Sequence, residues 1–517
     1  MILFKKRGIK LKKKLFLNTI TSIILQVITV ICGFILPRLI LGCYGSDVNG
    51  LVQSITQFIG LIAFMELGIG AVIQSALYKP LAENDNVQIG RVMSSGNKFF
   101  LRLSLLLSIY VCILIVLFPF ISSNNFGWMF TATLIAAMCV SSFAQYVFGI
   151  LDYLLLIADQ KGYVYYSIQS VTLIMNTIAC ALLIRAGSSI QLVKLVTSLI
   201  FLIRPIILRI YVNLKYKINR KERYDEEPIK QKWNGIAQHI SSVVIDGTDS
   251  IVLTTCSSLS NVSIYSVYHN VVYGVKNLFL SATNGFQSVL GDFYARERKQ
   301  ELVSFFNTVH FIIHTMTVFL FTCTAILIVP FISVYTYGIY DANYIQPAFA
   351  VLLVCANAVH CLRIPYHIMI KAAGHYKQTQ MCYIIAAVTN IVISIITVYF
   401  WGLIGVAIGT LVAMIYQTVW MALYTSKNLI DWQIGKFIKQ IIFDLILCFA
   451  IYGTTFWLRL IDINYYSWVI LAIEVFCIAL LITIAVSFIF YRKQMTLIFF
   501  SLLGKFKKKN SNKNTNI

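Results

Sequence analysis

The chain has 517 residues, of which 59% are hydrophobic and only 12% are charged, whereas soluble globular domains carry about 25% charged residues. This composition excludes an ordinary soluble protein and predicts a membrane protein. The net charge of +22 does not indicate a nucleic-acid-binding protein, because most Lys and Arg residues fall in loops on one side of the predicted membrane segments.

Apolar segments of about 20 residues, the length that crosses a hydrocarbon layer of roughly 30 Å, recur from Leu15 to Tyr491. They predict an all-α polytopic membrane protein with about fourteen transmembrane helices. The predicted limits of these spans are 15–42, 50–78, 98–121, 127–157, 163–184, 190–213, 235–256, 262–291, 306–335, 344–370, 379–400, 402–426, 438–458 and 467–491.

The charges of the loops predict the orientation of these helices. If the N-terminal segment MILFKKRGIKLKKK is cytoplasmic and the spans alternate, the loops on that side hold 35 of the 42 Lys and Arg residues. The loops GSDVNG, SSNNF, SSLSN and YGIYDAN on the opposite side hold none. Cationic loops are retained on the cytoplasmic side during insertion, so both termini are predicted to be cytoplasmic.

Internal similarity divides the chain into two halves. Val48 and Val262 are 214 residues apart in similar local sequences, and the same offset separates Ala158 from Ala372. The offset predicts two pseudo-symmetric six-helix lobes of parallel repeat type, an architecture used by alternating-access transporters. The predicted domains are an N-terminal lobe at 1–213, a basic cytoplasmic linker at 214–234, a C-terminal lobe at 235–426, an extra helix pair at 427–491 and a basic cytoplasmic tail at 492–517.

Four basic side chains inside the predicted spans are candidate substrate-binding residues. A charged side chain at mid-bilayer costs about 2.5 to 3.5 kcal/mol, so it normally faces a bundle interior or a water-filled cavity. Lys276 lies near mid-membrane in span 8, and Arg38 lies near the outer end of span 1. Arg204 and Arg363 lie in the inner halves of spans 6 and 10.

Three acidic side chains inside the spans are candidate ion-coupling residues. Glu66 lies in span 2, and Asp246 and Asp249 lie near the middle of span 7. Two interpretations of Glu66 stay open: a static ion pair with a cation such as Lys276, or a lumen-facing group that changes protonation. A desolvated carboxyl has a raised pKa, so protonation or sodium binding at these residues is a means of coupling.

Other chemistry is not indicated. His310 and His314 in HFIIH share a helical face, but the Glu of a metalloprotease HExxH motif is absent, so packing or a polar lining is predicted rather than a metal site. The twelve cysteines show no CxxC spacing. The sequence also lacks a Walker lysine motif and a nucleophile elbow, so we expect no cofactor and no enzyme activity.

Three segments carry a resemblance to a known family. They are PRLILGCYGSDVNGLVQSITQFIGLIAFMELGIGAVIQSALYKPLAENDN, LLLIADQKGYVYYSIQS and IDGTDSIVLTTCSSLSNVSIYSVYHNVVYGVKNLFLS. In order and character they resemble the bacterial polysaccharide (O-antigen type) flippases of the multidrug/oligosaccharidyl-lipid/polysaccharide exporter superfamily, which includes the MATE transporters. The likeness extends over about residues 15 to 490.

The resemblance implies a transporter of the bacterial cytoplasmic (inner) membrane that flips an undecaprenyl-diphosphate-linked oligosaccharide by alternating access. It implies contacts with membrane lipids and polysaccharide assembly enzymes, and coupling to a proton or sodium gradient. By position, Arg38 and Lys276 match the cavity cations of the family, and Arg363 and Arg204 are carried over to the inward-facing entrance. The chain departs from several family members in having fewer arginines in its first two spans.

Two other classes of function stay open at this stage. A cation-coupled multidrug or metabolite antiporter of the same superfamily would share the fold and the carboxylates, but the excess of cations over anions within the spans favours an anionic substrate. A membrane glycosyltransferase or polymerase usually needs a sizeable extramembrane loop with catalytic residues. The longest loop here is basic and predicted to be cytoplasmic.

Overall fold

The computed structural model describes residues 2–121, 126–216, 218–220, 222–224, 228, 247–492 and 494–496. Within the helices, the side chains at 2–13, 15, 62–68, 71, 148, 282, 284, 285 and 288 lie outside this description. All regular secondary structure in the described residues is helical, which confirms the predicted all-α class.

The helices are numbered in chain order. They are α1 (Ile2–Glu83), α2 (Asn86–Ile121), α3 (Trp128–Ala144), α4 (Ile150–Ala158), α5 (Gly162–Arg185), α6 (Ile190–Lys215), α7 (247–256), α8 (Leu259–Ala295), α9 (Lys299–Tyr335), α10 (Pro347–Leu362), α11 (Ile364–Ala372), α12 (Tyr376–Trp401), α13 (Leu403–Asn428), α14 (Gly435–Thr455) and α15 (Tyr465–Phe490). A π-helix at Gln145–Gly149 joins α3 to α4. Eleven helices of the described chain are long and apolar enough to cross a membrane, which supports a multi-pass membrane protein. The number of fourteen spans remains a prediction.

The first two predicted spans meet inside α1 at Gly45, where the backbone leaves the helical conformation with φ 83° and ψ 175°. Only glycine adopts this positive φ without strain. The segment that follows is capped by Asp341, whose carboxylate accepts hydrogen bonds from the Ser46 backbone N–H at 2.6 Å and from the Ser46 hydroxyl at 2.7 Å. A carboxylate is stabilised at a helix N-terminus, so Asp341 fixes the start of the second half of α1.

The predicted repeat offset of 214 residues recurs in the helix limits. Four pairs of limits differ by this number: Ile121 and Tyr335, Ile150 and Ile364, Ala158 and Ala372, and Gly162 and Tyr376. The helix interruptions also correspond, since the π-helix precedes α4 and a break at Arg363 precedes α11. Asn49 and Ser263, again 214 apart, are both fully buried, and the Asn49 amide donates to the Ser263 hydroxyl at 2.8 Å. The limits of the lobes as domains remain a prediction.

The chain separates into two compact units. Unit 1 comprises Met1–Asn270, Gly338–Asn343 and Ser394–Val406, and unit 2 comprises Val271–Tyr337, Tyr344–Ile393 and Ala407–Ile517. In unit 1, one apolar cluster contains Ile73, Phe100 and Leu155, and a second contains Ile55 and Phe118.

In unit 2, the predicted extra helix pair packs on α9. Leu447 and Ile451 of α14 meet Val475 and Ala479 of α15 in one buried cluster with Phe311 of α9. The small Ala479 side chain allows the helices to approach closely. The outer faces of this pair carry exposed apolar side chains, as expected for helices that contact lipid.

The described start of the predicted linker is folded against unit 1. The Asp152 side chain on α4 is fully buried, and it accepts a hydrogen bond from Arg220 at 2.6 Å and pairs with Arg209 at 3.5 Å. The backbone oxygen of Asn219 lies so close to Gly90 that a Cβ there would be 2.7 Å from it. Asn219 and Arg220 therefore pack against α2 and against the first turn of α4.

A second charged cluster lies beside it, at the turn between α4 and α5. Asp159 pairs with Lys161 at 2.7 Å and with Lys14 at 3.2 Å, and the Tyr216 hydroxyl donates to the same carboxylate. Burial alone would raise the pKa of Asp159, but the hydrogen bonds from Lys161 and Tyr216 and the two lysine charges outweigh it, and the pKa is lowered. The cluster ties the start of α1 to the end of α4.

Replacing Asp159 with Asn should lower the melting temperature at pH 7 by a few degrees, because the ion pairs are worth about 1 kcal/mol. A carboxylate with a lowered folded-state pKa stabilises the fold above its unfolded pKa of about 4, and that stability is lost as the pH falls through the folded-state pKa. The wild-type advantage should therefore shrink below about pH 4. Thermal unfolding of the purified protein between pH 7 and pH 3 measures this, with the exposed Asp462→Asn as control. A constant difference across this range would contradict the assignment.

Candidate functional site

The break between α10 and α11 places Arg363 in the interior of unit 2. α10 ends at Leu362 and α11 begins at Ile364, so Arg363 occupies the junction. Pro365 follows it and has no backbone N–H to continue the hydrogen-bond ladder of α10. The Arg363 side chain is only 5% exposed. The local sequence RIP therefore interrupts the helix and buries a permanent positive charge at that point.

Neutral groups surround the Arg363 guanidinium. Nη1 donates to the Gln417 side-chain oxygen on α13, and Nη2 lies 3.4 Å from the ring nitrogens of His360. Nε is buried and has no hydrogen-bond partner among the described residues. No carboxylate in the described part of the chain pairs with this arginine. A buried guanidinium held by an amide and an imidazole retains its capacity to bind an anion through charge-assisted hydrogen bonds.

Lys276 lies in the same neighbourhood of unit 2. Its side chain on α8 is 3% exposed, and Nζ lies 5.1 Å from the centroid of the Tyr273 ring. The charges of Lys276 and Arg363 both act on His360 and on Cys361. The structure therefore brings together two of the four predicted basic residues.

Three further basic residues of this neighbourhood were missed by the sequence reasoning. His360, His367 and Lys371 follow the same helical stripe as Arg363, at spacings of three and four residues, and the Arg363 charge acts on each of them. The pattern HCLRIPYHIMIK carried the signal, because these spacings place basic side chains on one face. The sequence analysis considered each charge within a span separately and therefore did not identify this row of basic residues on one helical face.

Arg204 lies in unit 1 and forms a different arrangement. Its Nε donates to the Thr172 hydroxyl at 2.7 Å, and the guanidinium lies 3.9 Å from the centroid of the Phe201 ring. One terminal nitrogen, Nη2, is buried without a hydrogen-bond partner in the described residues. Pro205, the next residue, packs against Gly149 of the π-helix. This arginine is held by a hydroxyl and an aromatic face.

A cavity of about 340 Å³ opens in unit 1 between α1, α5 and α6. Its polar lining consists of Thr29, Gln53, Asn176, Lys194, Thr197 and Asn270. Sequence analysis missed Lys194, which lies one turn into α6 and was not counted among the charges inside spans. Arg38 does not belong to this lining; it is half-buried, with its guanidinium beside Gly42 one turn further along α1.

Of the three predicted carboxylates, only Asp249 has a described side chain. It lies on α7, is 2% exposed, and accepts a hydrogen bond from the Tyr265 hydroxyl at 3.1 Å. Asp246 and the side chain of Glu66 lie outside the described residues. Both interpretations of Glu66 therefore remain predictions.

His310 and His314 both bind protein groups within unit 2. His310 contacts the Tyr366 hydroxyl at 2.6 Å, and His314 contacts the Asp444 carboxylate at 2.6 Å. Within the described residues, no group of three or more His, Cys, Asp or Glu side chains is arranged to hold a metal ion.

No known protein family matches the sequence, and no curated protein matches it either. Solved structures do share the fold. The lipid II flippase MurJ in an inward closed conformation aligns with a TM-score of 0.71 and 17% identity, over 93% of this chain and 100% of that chain. The MATE multidrug transporter DinF-BH, solved with a ligand bound, aligns with a TM-score of 0.58 and 14% identity, over 80% of this chain and 95% of that chain.

A third structure, a MOP superfamily transporter from Pyrococcus furiosus, aligns with a TM-score of 0.55 and 16% identity, over 80% of this chain and 96% of that chain. At these identities the likeness concerns the fold alone. The many-helix architecture, the repeat offset and these alignments together give the conclusion that this chain has the fold of the MOP-superfamily transporters, a fold shared by the lipid II flippase and the MATE transporters.

Proposed function

We propose that the protein is a flippase that moves an undecaprenyl-diphosphate-linked oligosaccharide, such as a polysaccharide or O-antigen repeat unit, to the outer leaflet of the bacterial cytoplasmic membrane. One observation carries the proposal. Arg363 is buried within a transporter fold, its recorded partners are neutral groups, and Lys276 and His360 lie in its neighbourhood. An uncompensated buried charge is costly, and an anionic ligand would offset that cost.

The physical problem of such a transporter is to carry an anionic headgroup through hydrocarbon while the polyprenyl tail stays in lipid. Phosphate oxygens lose their hydration on entering the protein, and charge-assisted hydrogen bonds from Arg and Lys replace it. In this proposal Arg363 and Lys276 bind the diphosphate in unit 2. Arg204 and Arg38 provide further cationic positions, and both lie in unit 1.

The sugar part needs a different lining. Sugar hydroxyls are donors and acceptors, and Asn and Gln side chains offer both. The cavity of unit 1 provides Gln53, Asn176 and Asn270, together with the Lys194 ammonium. We assign this cavity to the glycan, with alternating access exposing it to each face of the membrane in turn.

Coupling to a proton or sodium gradient is part of the proposal. Asp249 is buried beside a tyrosine hydroxyl, an environment in which a carboxyl can change protonation. Glu66 and Asp246 are proposed for the same role on the basis of their positions in the sequence. The cytoplasmic face, with both termini, would meet the polysaccharide assembly enzymes that supply the substrate.

The alternative is a cation-coupled multidrug or metabolite antiporter with the same fold. MATE transporters among the structural neighbours favour it, as does the buried Asp249. A cationic drug would, however, meet the positive charges of Arg363, Lys276 and Lys371 in unit 2. The net charge of this neighbourhood therefore favours an anionic substrate.

A complementation experiment tests the proposed function. In a strain whose glycan export depends on this protein, Lys276→Ala should reduce surface glycan about tenfold or more, because one charge contact to phosphate is lost. Lys276→Arg should retain most of the export, and Lys377→Ala on the predicted cytoplasmic side should have no effect. Native export by Lys276→Ala at native protein abundance would refute the role of this residue.

A further inference from the structure

A line of buried titratable groups crosses unit 2 away from the cationic neighbourhood. It runs from Asp444 on α14, through His314 and His310 on α9, to Tyr366 on α11. All four side chains are no more than 5% exposed. The two imidazole centroids are 4.2 Å apart, and the end contacts, His314 to Asp444 and His310 to Tyr366, are both 2.6 Å. The proposed transport mechanism uses none of these groups.

Asp444 has two side-chain contacts that bear on the position of the proton it shares with His314. Its Oδ1 accepts a hydrogen bond from the Gln440 amide at 2.9 Å, and its Oδ2 faces Nδ1 of His314. The Gln440 amide stabilises the ionised form of the carboxylate, and on that basis we assign the hydrogen between Asp444 and His314 to Nδ1 of His314. Nε2 of His314 is then the basic atom of the neutral ring. It is buried and has no hydrogen-bond partner among the described residues.

This arrangement leaves one place for an additional proton. In the neutral-imidazole state the pair carries a buried net charge of −1. A proton taken from a hydronium ion by Nε2 of His314 gives an imidazolium paired with the Asp444 carboxylate, with no net charge, and returns a water molecule. A paired buried charge is less costly than an unpaired one, so the carboxylate favours uptake of the proton.

Water can reach this line from one side. A cavity of about 210 Å³ is lined by Asn307, His310, Gln440, Lys436 and Lys439, among others. His310 thus borders the cavity and packs against the His314 ring at an interplanar angle of 33°. The predicted topology places the start of α14, with Lys436 and Lys439, at the cytoplasmic face. The cavity therefore brings water from that face to His310, the residue that packs against His314.

The charged groups around His314 and Asp444 have opposite effects on protonation of the His314 ring. Asp444 favours the imidazolium, and the two cavity lysines of α14 disfavour it. The other titratable groups nearby are His310 on the same helix, the Tyr366 hydroxyl from α11 and the Tyr491 hydroxyl after α15. Of the other helices that pack on α9, α10 carries His360, α11 carries His367 and Lys371, and α15 carries the exposed Glu474.

We propose that His314, paired with Asp444, is a proton-binding site, and that its proton comes from the cytoplasmic cavity beside His310, with a water molecule making the final transfer to Nε2. The site links α14 of the extra helix pair to α9, and through Tyr366 to the helix that carries the Arg363 break. The inference deepens the proposed function, on which its role in coupling rests, by naming a site for the coupling proton.

The first test is ¹⁵N-histidine solid-state NMR of the full-length protein in lipid bilayers, between pH 4.5 and pH 8.5. The chain has only seven histidines, so the His314 signal can be assigned by its loss in His314→Gln. We expect a neutral Nδ1–H ring at high pH that becomes doubly protonated within this range. A His314 ring that stays neutral throughout, or stays doubly protonated throughout, would overturn the proposal.

Two variants distinguish a proton site from a structural contact. Asp444→Asn should lower the titration midpoint of His314 by at least about one pH unit, because the imidazolium loses its anion. Lys439→Met, at the cavity wall, should raise the titration midpoint of His314. This second variant keeps the test valid even if the protein does not fold with a change at Asp444. Unchanged midpoints in the folded variants would overturn the proposal.

A transport measurement distinguishes failure of this inference from failure of the proposed function. Wild-type protein in vesicles containing an undecaprenyl-diphosphate-linked sugar should flip the lipid faster with an imposed pH gradient. His314→Gln should show a smaller response to the gradient, because one of the proposed proton sites is lost, and a response equal to wild type would refute the coupling role. If the wild type flips no lipid, the proposed function fails, while the NMR titration still decides whether His314 binds a proton.

Discussion

Replacing Arg363 with Met and Gln417 with Leu together should abolish glycan export, by about 100-fold or more, without destabilising the protein. Loss of a buried charged contact to a ligand costs about 2 to 5 kcal/mol, which corresponds to a factor between about 30 and about 4,000. The double change leaves neither a buried charge nor an unpaired amide oxygen. Replacing a buried polar pair by apolar groups of similar shape is often neutral or stabilising.

Loss of export with unchanged stability would show that the Arg363 charge serves substrate binding rather than folding. Surface glycan and the melting temperature of the purified protein are the two measurements. Arg459→Met, at an exposed arginine after α14, is the matched control and should change neither. A melting temperature that falls by more than about 5 °C would show that Arg363 serves mainly to hold α10, α11 and α13 together. Native export by the double variant would contradict its role in binding.

Replacing Gly50 with Ala should prevent accumulation of the folded protein. A Cβ on Gly50 would lie 1.8 Å from the backbone oxygen of Leu259, at the start of α8. Backbone atoms cannot rotate away as a side chain can, so the helices of unit 1 would have to separate. Overpacking of this kind costs about 1 to 3 kcal/mol and more where the backbone cannot yield, and neighbouring pairs such as Asn49 and Ser263 would be lost with it.

Gly60→Ala on the same helix is the matched control. Nothing lies within 4 Å of a Cβ at that position, so the substitution should be neutral or stabilising by about 0.5 to 1 kcal/mol through reduced backbone entropy of the unfolded chain. Abundance in the membrane and melting temperature after purification test both variants. Equal behaviour of the two would contradict the close approach of α1 and α8.

Much of the fold could be predicted because the membrane imposes it. A hydrocarbon layer requires about 20 apolar residues per helix, and this requirement leaves a direct pattern in the sequence. The 214-residue offset was visible in Ala158 and Ala372, and the same offset appears in the limits of α4 and α11. The two spans predicted at 15–42 and 50–78 correspond to the two helical segments of α1, which are separated by the non-helical Gly45 in the predicted loop between them.

The candidate site was predicted less completely, because its contacts join residues far apart in the chain. Arg363 and Lys276 were found from the cost of a charge in the membrane. Gln417 is an ordinary polar residue in sequence, and its pairing with Arg363 depends on the packing of α13. Lys194 was missed because a lysine one turn from a helix start can extend towards water, and no local pattern indicated that it lines a cavity.

The histidines show the same limitation. HFIIH indicated correctly that His310 and His314 share one helical face. The carboxylate that pairs with His314 lies 130 residues later in the chain, in the extra helix pair. No spacing rule connects the two segments, so the sequence analysis predicted only packing or a polar lining.

The most direct measurement is a two-probe assay of purified protein reconstituted in vesicles. One probe is an undecaprenyl-diphosphate-linked fluorescent sugar whose arrival in the opposite leaflet is measured, and the other is a cationic rhodamine dye, whose accumulation reports drug transport. The flippase account predicts protein-dependent movement of the lipid-linked sugar that the Arg363→Met, Gln417→Leu variant lacks, and no transport of the dye. Gradient-driven dye transport without movement of the lipid-linked sugar would contradict it.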